Sequence, residues 1–318
     1  MKQSNPWQVA LTNVITDPLE LCKELELPAN LITTDFPLRV PRGFVARMGK
    51  GNPHDPLLQQ VLPQQAELTT MPGYCQDPLQ EKQFSPVPGL LHKYHGRVLI
   101  VIAGGCAVNC RYCFRRHFPY DDHLLKPKQW LDYIASDASI SEVIYSGGDP
   151  LLAKDEQLRK ITEKIAAISH VKRLRIHTRL PIVIPERVTK ELIAWLTESR
   201  LQPVIVVHCN HPNEIDQSVK KAIHDLRLAN ITVFNQAVLL KNINDSVKVL
   251  IRLSERLFEV GVTPYYLHVL DRVQGAAHFN VPEEKAKQLM QEIMKYLPGY
   301  LVPKLVREQP GCDAKVPV

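Results

Sequence analysis

The sequence predicts an α/β fold: a partial (β/α)6 barrel flanked by an N-terminal helical and extended region and a C-terminal tail. Three observations predict it. From residue 98 onward, short β-branched apolar runs alternate six times with helix-like segments, the pattern of parallel strands joined by helical crossovers. A polar residue lies at or just past the C-terminal end of each run: Cys106, Ser146, His177, His208, Gln236 and Asp271. In a barrel these six positions converge on one mouth, whereas in an open sheet they would spread along an edge. The length, 318 residues, suits either about two domains or one large α/β barrel with extensions.

Near the N-terminus, Pro18 opens a short amphipathic helix that carries Leu21 and Leu25 at helical spacing. Residues 28–88 are rich in Pro and Gln and read as turn-rich chain wrapping a core. Strands are expected at 98–103, 142–146, 173–177, 203–208, 232–238 and 265–270. Helices are expected at 126–136, 154–168, 186–198, 214–229, 245–260 and 283–295. The fourth helix is clear: Ile215, Val219, Ala222, Ile223 and Leu226 share one face, with Lys220, Lys221 and Asp225 off it. A seventh apolar run, 301–306, leads into a polar tail. The organisation expected is a wrapping region at 1–92, a barrel at 93–295, and a strand and tail at 296–318.

Hydrophobic residues make up 45% and charged residues 23%, which excludes a wholly disordered or collagen-like chain. The longest apolar runs, such as Val98 to Ala103, fall far short of the ~20 residues of a membrane span. No basic-then-apolar leader is seen, so the cytoplasm is the expected compartment. The net charge of +6 is spread thinly, without clustered basic and aromatic residues, so no direct nucleic-acid partner is indicated. Seven cysteines cannot all pair with one another. Cys106, Cys110 and Cys113 fall within eight residues, which in a reducing compartment points to metal or redox chemistry. Cys22, Cys75, Cys209 and Cys312 are scattered and read as small buried hydrophobes or free thiols.

The strongest motif is CAVNCRYC, 106–113, in the loop after the first strand. Thiolates at this spacing bind soft metals or an iron–sulfur cluster; three ligands would leave one iron of a [4Fe–4S] cluster open. A zinc site would need a fourth ligand, for which His117 is the candidate. The loop resembles that of the radical SAM superfamily, in which it follows the first strand of a partial (β/α)6 barrel and the open iron binds S-adenosylmethionine (SAM). Tyr112, just before the third cysteine, also fits that resemblance. So does SGGDP, 146–150, which resembles the motif meeting the methionyl amino group and implies SAM contacts from Ser146, Gly147, Gly148 and Asp149. With CRYCFRR (110–116), HCNHPNEI (208–215), FNQAVLLKNIND (234–245) and PYYLHVLD (264–271), residues 90 to 318 resemble the lysine 2,3-aminomutase family. The length and tail are similar to those of shorter members that supply β-lysine for modifying elongation factor P.

The resemblance implies three cofactors: a [4Fe–4S] cluster on Cys106, Cys110 and Cys113, SAM, and pyridoxal phosphate (PLP). It implies Lys315 as the PLP lysine, with Lys304 as its competitor, and Lys93, Tyr94 and Arg97 as phosphate contacts. His208 and Gln236 would meet the adenosyl and ribose groups, in the neighbourhood of His177, Thr178, Arg179, Asn210 and His211. Arg115 would grip the substrate α-carboxylate through two parallel hydrogen bonds. Asp271 and Glu308 would receive the side-chain ammonium of L-lysine. The implied reaction moves the amino group from C2 to C3 by radical chemistry and regenerates SAM. The resemblance also implies a flavodoxin- or ferredoxin-type electron donor and, for use of the product, a functional link to an elongation factor P lysine ligase. The alternatives are an aminomutase for another basic amino acid and a zinc-binding, RNA-interacting module. Glutamate is disfavoured as substrate because the two acids would repel a second carboxylate.

Overall fold

A computed structural model describes residues 5–120 and 127–318. Nine strands form one sheet in chain order: β1 (Leu90–Tyr94), β2 (Arg97–Ala103), β3 (Glu142–Gly147), β4 (Arg173–Thr178), β5 (Gln202–Val207), β6 (Thr232–Val238), β7 (Thr263–His268), β8 (Lys304–Arg307) and β9 (Val316–Pro317). Strands β2 to β7 pair in parallel, each with the next. They are the six strands the apolar runs predict. β1 adds antiparallel to β2, β8 parallel to β7, and β9 antiparallel to β8. β1 and β9 are therefore the two outer strands, and the barrel is open between them.

The N-terminal region carries α1 (Pro6–Thr12), α2 (Pro18–Glu24) and α3 (Arg42–Val45). The crossovers are α4 (Pro127–Ser136), α5 (Asp155–Ala166), α6 (Leu180–Val183) with α7 (Lys190–Thr197), α8 (Gln217–Leu228), α9 (Val247–Val260) and α10 (Glu283–Ile293). Onset of the first crossover at 126 lies outside the described residues. The helix expected at 186–198 begins later. Pro185, which lacks a backbone N–H, opens a 3-10 turn, and α7 starts only where Thr189 accepts the Leu192 N–H at 3.1 Å. α8 buries Val219, Ala222, Ile223 and Leu226, the face read from the sequence. α9 ends at Gly261, whose φ of 89° is the left-handed conformation that closes a helix.

The N-terminal region shares its core with the barrel. Trp7, Ile15, Phe44 and Leu57 belong to the same buried cluster as Val98, Tyr145, Ile176 and Ile205. The boundary expected after residue 92 falls inside β1, so the wrap and the barrel join through a hairpin. No described helix is long and apolar enough to cross a membrane.

Candidate active site

The C-terminal ends of β2 to β7 open into a cavity of about 560 Å³. Cys106, Ser146, His177, His208, Gln236 and Asp271 all line it, as convergence at a barrel mouth requires. The expected cluster, SAM, PLP and substrate residues line this same cavity.

The cysteine end is built by close backbone contact. Gly148 N–H donates to the Ala103 carbonyl at 2.7 Å, and Asp149 N–H to the Gly105 carbonyl at 2.8 Å. A Cβ on Gly148 would lie 2.1 Å from the Gly105 oxygen; one on Gly147, at φ 122°, would lie 2.4 Å from the Ala103 oxygen. The two glycines thus let the end of β3 press against the cysteine loop, a role the sequence reading assigned to ligand approach. Asp149 also departs from expectation. Its carboxylate accepts from Thr178 Oγ1 (2.7 Å) and from the N–H groups of Arg179 (2.8 Å), Leu180 (3.1 Å) and Leu151 (3.1 Å). It ties β3 to β4 and has little capacity left for a ligand.

Cys106, Cys110 and Cys113 line the cavity wall beyond these glycines. Burial, reinforced by the neighbouring sulfurs, pushes the Cys106 thiol up and that of Cys113 to about 12. Thiols raised in this way, as those of Cys106 and Cys113 are, ionise beside strong positive charge, which iron supplies, so the donor set fits a cluster. His117 does not take the fourth place of a zinc site: it lies outside the cavity lining, with Nε2 3.4 Å from the Gln274 carbonyl. Among the described residues, no three His, Cys, Asp or Glu side chains converge on a position for a single ion. Cys110 Sγ accepts a hydrogen bond from Arg179 Nη1 at 2.7 Å.

Next along the cavity, His208 Nε2 lies 2.8 Å from the Tyr112 hydroxyl, which also takes Asn210 Nδ2 at 2.7 Å. Burial, with Arg179 beside it, lowers His208 to about 3, so the ring is neutral. The Gln236 side chain has no hydrogen-bond partner among the described residues, leaving its amide free in the cavity.

Arg115 differs most from expectation. Its Nε and Nη2 donate to Glu81 at 2.8 and 2.6 Å, and Nη1 donates to Ser146 Oγ (3.2 Å) and the Gly147 carbonyl (3.1 Å). A protein carboxylate therefore fills the two-pronged edge expected for substrate.

At the opposite end, Lys315 Nζ ion-pairs with Glu308 Oε1, while Glu308 Oε2 accepts from Lys93 Nζ and the Tyr94 hydroxyl, both at 3.2 Å. Burial pushes Glu308 up, but Lys315 and Lys93 outweigh it and hold it at about 2. Arg97 lies 4.8 Å over the Tyr94 ring and Lys315 5.7 Å over that of Tyr266. Lys93 and Lys315 thus gather around Glu308, with Arg97 on the Tyr94 ring beside them, and His177 Nε2 and His268 Nε2 are buried with no hydrogen-bond partner among the described residues. Excess positive charge with unsatisfied imidazoles fits a phosphorylated, hydrogen-bonding ligand such as PLP. Lys304 is exposed on β8 and does not line the cavity. Glu308, expected to meet the substrate ammonium, is engaged by lysines of the chain itself. The Asp271 carboxylate has no hydrogen-bond or ion-pair partner among the described residues; burial, then Glu308, pushes it up to about 7.

A set of polar partners around the cavity carries no signature in the sequence. Glu67 accepts from Arg111 Nε at 2.8 Å and Arg116 Nη2 at 2.9 Å. Gln60 and Glu214 hold Arg179, and Glu81 holds Arg115. Gln60, Glu67 and Glu81 lie in Pro-rich chain without periodicity, so no local pattern marks them. Glu214 was visible only as part of HCNHPNEI.

Residues 100–254 match the family model described as Radical SAM superfamily. The chain is 51% identical to an L-lysine 2,3-aminomutase of Escherichia coli strain K12, over 98% of this chain and 94% of that one. It is 49% identical to the Haemophilus influenzae protein of the same name, over 98% and 95%. To that of Clostridium subterminale it is 35% identical, over 99% of this chain and 78% of the other.

Proposed function

The chain belongs to the lysine 2,3-aminomutase family of radical SAM enzymes, and on that premise we propose that it converts L-lysine to β-lysine at the barrel mouth, using a [4Fe–4S] cluster, SAM and PLP. The observation that carries this reading is one cavity joining three clustered cysteines to Lys315 and to the unpaired acid Asp271. When bound, these groups supply the radical chemistry: one-electron cleavage of SAM, hydrogen abstraction, and a conjugated ring that carries the migrating nitrogen.

The residues divide the remaining work. Cys106, Cys110 and Cys113 hold the cluster. Ser146, the backbone of Gly147 and Gly148, His208 and Gln236 face SAM, while Asp149 fixes the loop that presents them. Lys93, Tyr94 and Arg97 would hold the PLP phosphate, and Lys315 would hold its aldehyde end. Asp271 accepts the lysine side-chain ammonium. Glu308 keeps Lys315 and Lys93 in place and becomes a second acid for that ammonium once Lys315 is engaged. Arg115, held by Glu81, has one N–H left for the α-carboxylate. Tyr112, Phe114 and Leu270 in the lining help to exclude water from the reacting atoms.

The product is proposed to serve β-lysylation of elongation factor P through a separate ligase. Support comes from the tail resemblance and from the near full-length match to the E. coli and H. influenzae relatives. The seven cysteines are unpaired, which fits a reducing compartment such as the cytoplasm. Reconstituted protein incubated anaerobically with L-lysine, SAM and dithionite should form β-lysine, read by chiral chromatography. Turnover of a different amino acid in preference to lysine would overturn the substrate assignment.

A further inference from the structure

We infer that Arg179 is a positioning residue for the iron–sulfur cluster, setting its reduction potential through the Cys110 sulfur. The inference rests on the reading above that Cys110 is a cluster ligand. Arg179 follows β4 directly and is 6% exposed. Its Nη1 donates to Cys110 Sγ at 2.7 Å and to the Tyr112 hydroxyl at 2.9 Å. Its Nη2 donates to Gln60 Oε1 at 2.7 Å and to Glu214 Oε2 at 3.0 Å. The guanidinium also lies 5.3 Å over the Phe44 ring.

These contacts give Arg179 one position. Glu214 is itself fixed, accepting from Gln60 Nε2 (3.1 Å) and from the N–H groups of Asn210 (2.9 Å) and His211 (3.0 Å). Arg179 and Glu214 thus form a buried, oriented dipole with its positive end on Cys110. A structural ion pair would need only Glu214. Here Nη1 is spent on a sulfur, and Nε is buried with no hydrogen-bond partner among the described residues.

The physical effect has a definite sign. One electron from an external low-potential donor takes the cluster from its oxidised to its reduced state, adding one negative charge. A charge-assisted N–H bond to a ligand sulfur favours the more negative state, so it raises the potential. Low local dielectric strengthens the effect. Arg179 would therefore ease the electron uptake that must precede SAM cleavage.

The test is an anaerobic redox titration of the reconstituted full chain without SAM, following the reduced-cluster EPR signal, with iron and sulfide measured on each sample. Arg179→Met should keep the cluster while lowering the reduced-to-oxidised ratio at fixed potential at least tenfold, about 59 mV for one electron. Arg179→Lys, which keeps the charge, should recover part of the shift. Glu214→Gln removes the negative end of the dipole and should move the midpoint the other way. A full cluster with an unchanged midpoint in Arg179→Met overturns the inference. If Arg179→Met does not fold, an unchanged or more negative midpoint in Glu214→Gln overturns it. A full cluster in Cys110→Ala would instead sink the ligand assignment on which it rests.

Discussion

Asp271 and Glu308 show how the surroundings of a carboxylate decide its role. Glu308 is saturated by Lys315, Lys93 and Tyr94, whereas Asp271 faces the cavity with no described partner. Replacing Asp271 with Asn should weaken use of lysine by about 2–5 kcal/mol, the cost of leaving a desolvated ammonium unpaired. That is roughly 30-fold to several-thousand-fold in kcat/KM, with SAM binding and PLP loading little changed. The acid also predicts a pH dependence. An ammonium binds the ionised carboxylate, and burial raises the Asp271 pKa to about 7, so KM for lysine should fall as pH rises from about 6 to 8. Asp271→Asn should flatten that profile. For stability, the upward shift means that the folded state holds the proton more tightly than the unfolded chain does. This contribution is full below the ordinary carboxyl range and is lost as pH rises through about 7. Lys315→Ala should abolish the PLP adduct trapped by borohydride, and Lys304→Ala should retain it; the reverse would move the lysine to β8. Asp271 and Lys315 are pointed to by the motif register alone. No local pattern shows that Asp149 is occupied, because groups more than twenty residues downstream, the Thr178 hydroxyl and the Arg179 backbone N–H, claim its oxygens.

Elements with a strong local pattern were legible. β2 and β5 are runs of Val, Ile and Leu, helices such as α8 are amphipathic, and burial reproduces that pattern. β1, β9 and α1 went unread. β9 is a two-residue strand whose existence depends on pairing with β8, and α1 is seven residues long, too short for periodicity to stand out. The β3 terminus offers a sharp test of how elements fit together. Gly148→Ala would drive a Cβ to 2.1 Å from the Gly105 carbonyl oxygen, a backbone atom with little freedom to yield. The cysteine loop would have to move. Iron incorporation should drop several-fold, and thermal unfolding should reveal a loss of about 1–3 kcal/mol, the usual cost of overpacking. Normal iron content in Gly148→Ala would show that the loop tolerates the displacement.

At the scale of the whole molecule, the N-terminal region supplies polar partners to the arginines around the cluster loop. Glu67 serves Arg111 and Arg116, Glu81 serves Arg115, and Gln60 helps to hold Arg179. These partners lie 34 to 119 residues apart in the chain, which is why no local reading could join them. Glu67→Gln would leave two buried guanidinium groups short of a counter-ion and should cost about 3–5 kcal/mol, measured as a lower urea midpoint. The open side of the barrel has a different consequence. Lys93 stands on outer strand β1, Glu308 follows β8 and Lys315 precedes outer strand β9, so the 3.2 Å ion pair between Lys93 and Glu308 spans the gap. A molecule fastened to Lys315 at one end and gripped by Lys93 and Arg97 at the other would act as a cross-tie between the two rims. Amide hydrogen exchange should then slow in β1 and in β8–β9 together when PLP is loaded, while the middle staves β4 and β5 keep their rates. The coenzyme would be a hoop as well as a reagent, and an empty barrel would come apart first along that seam.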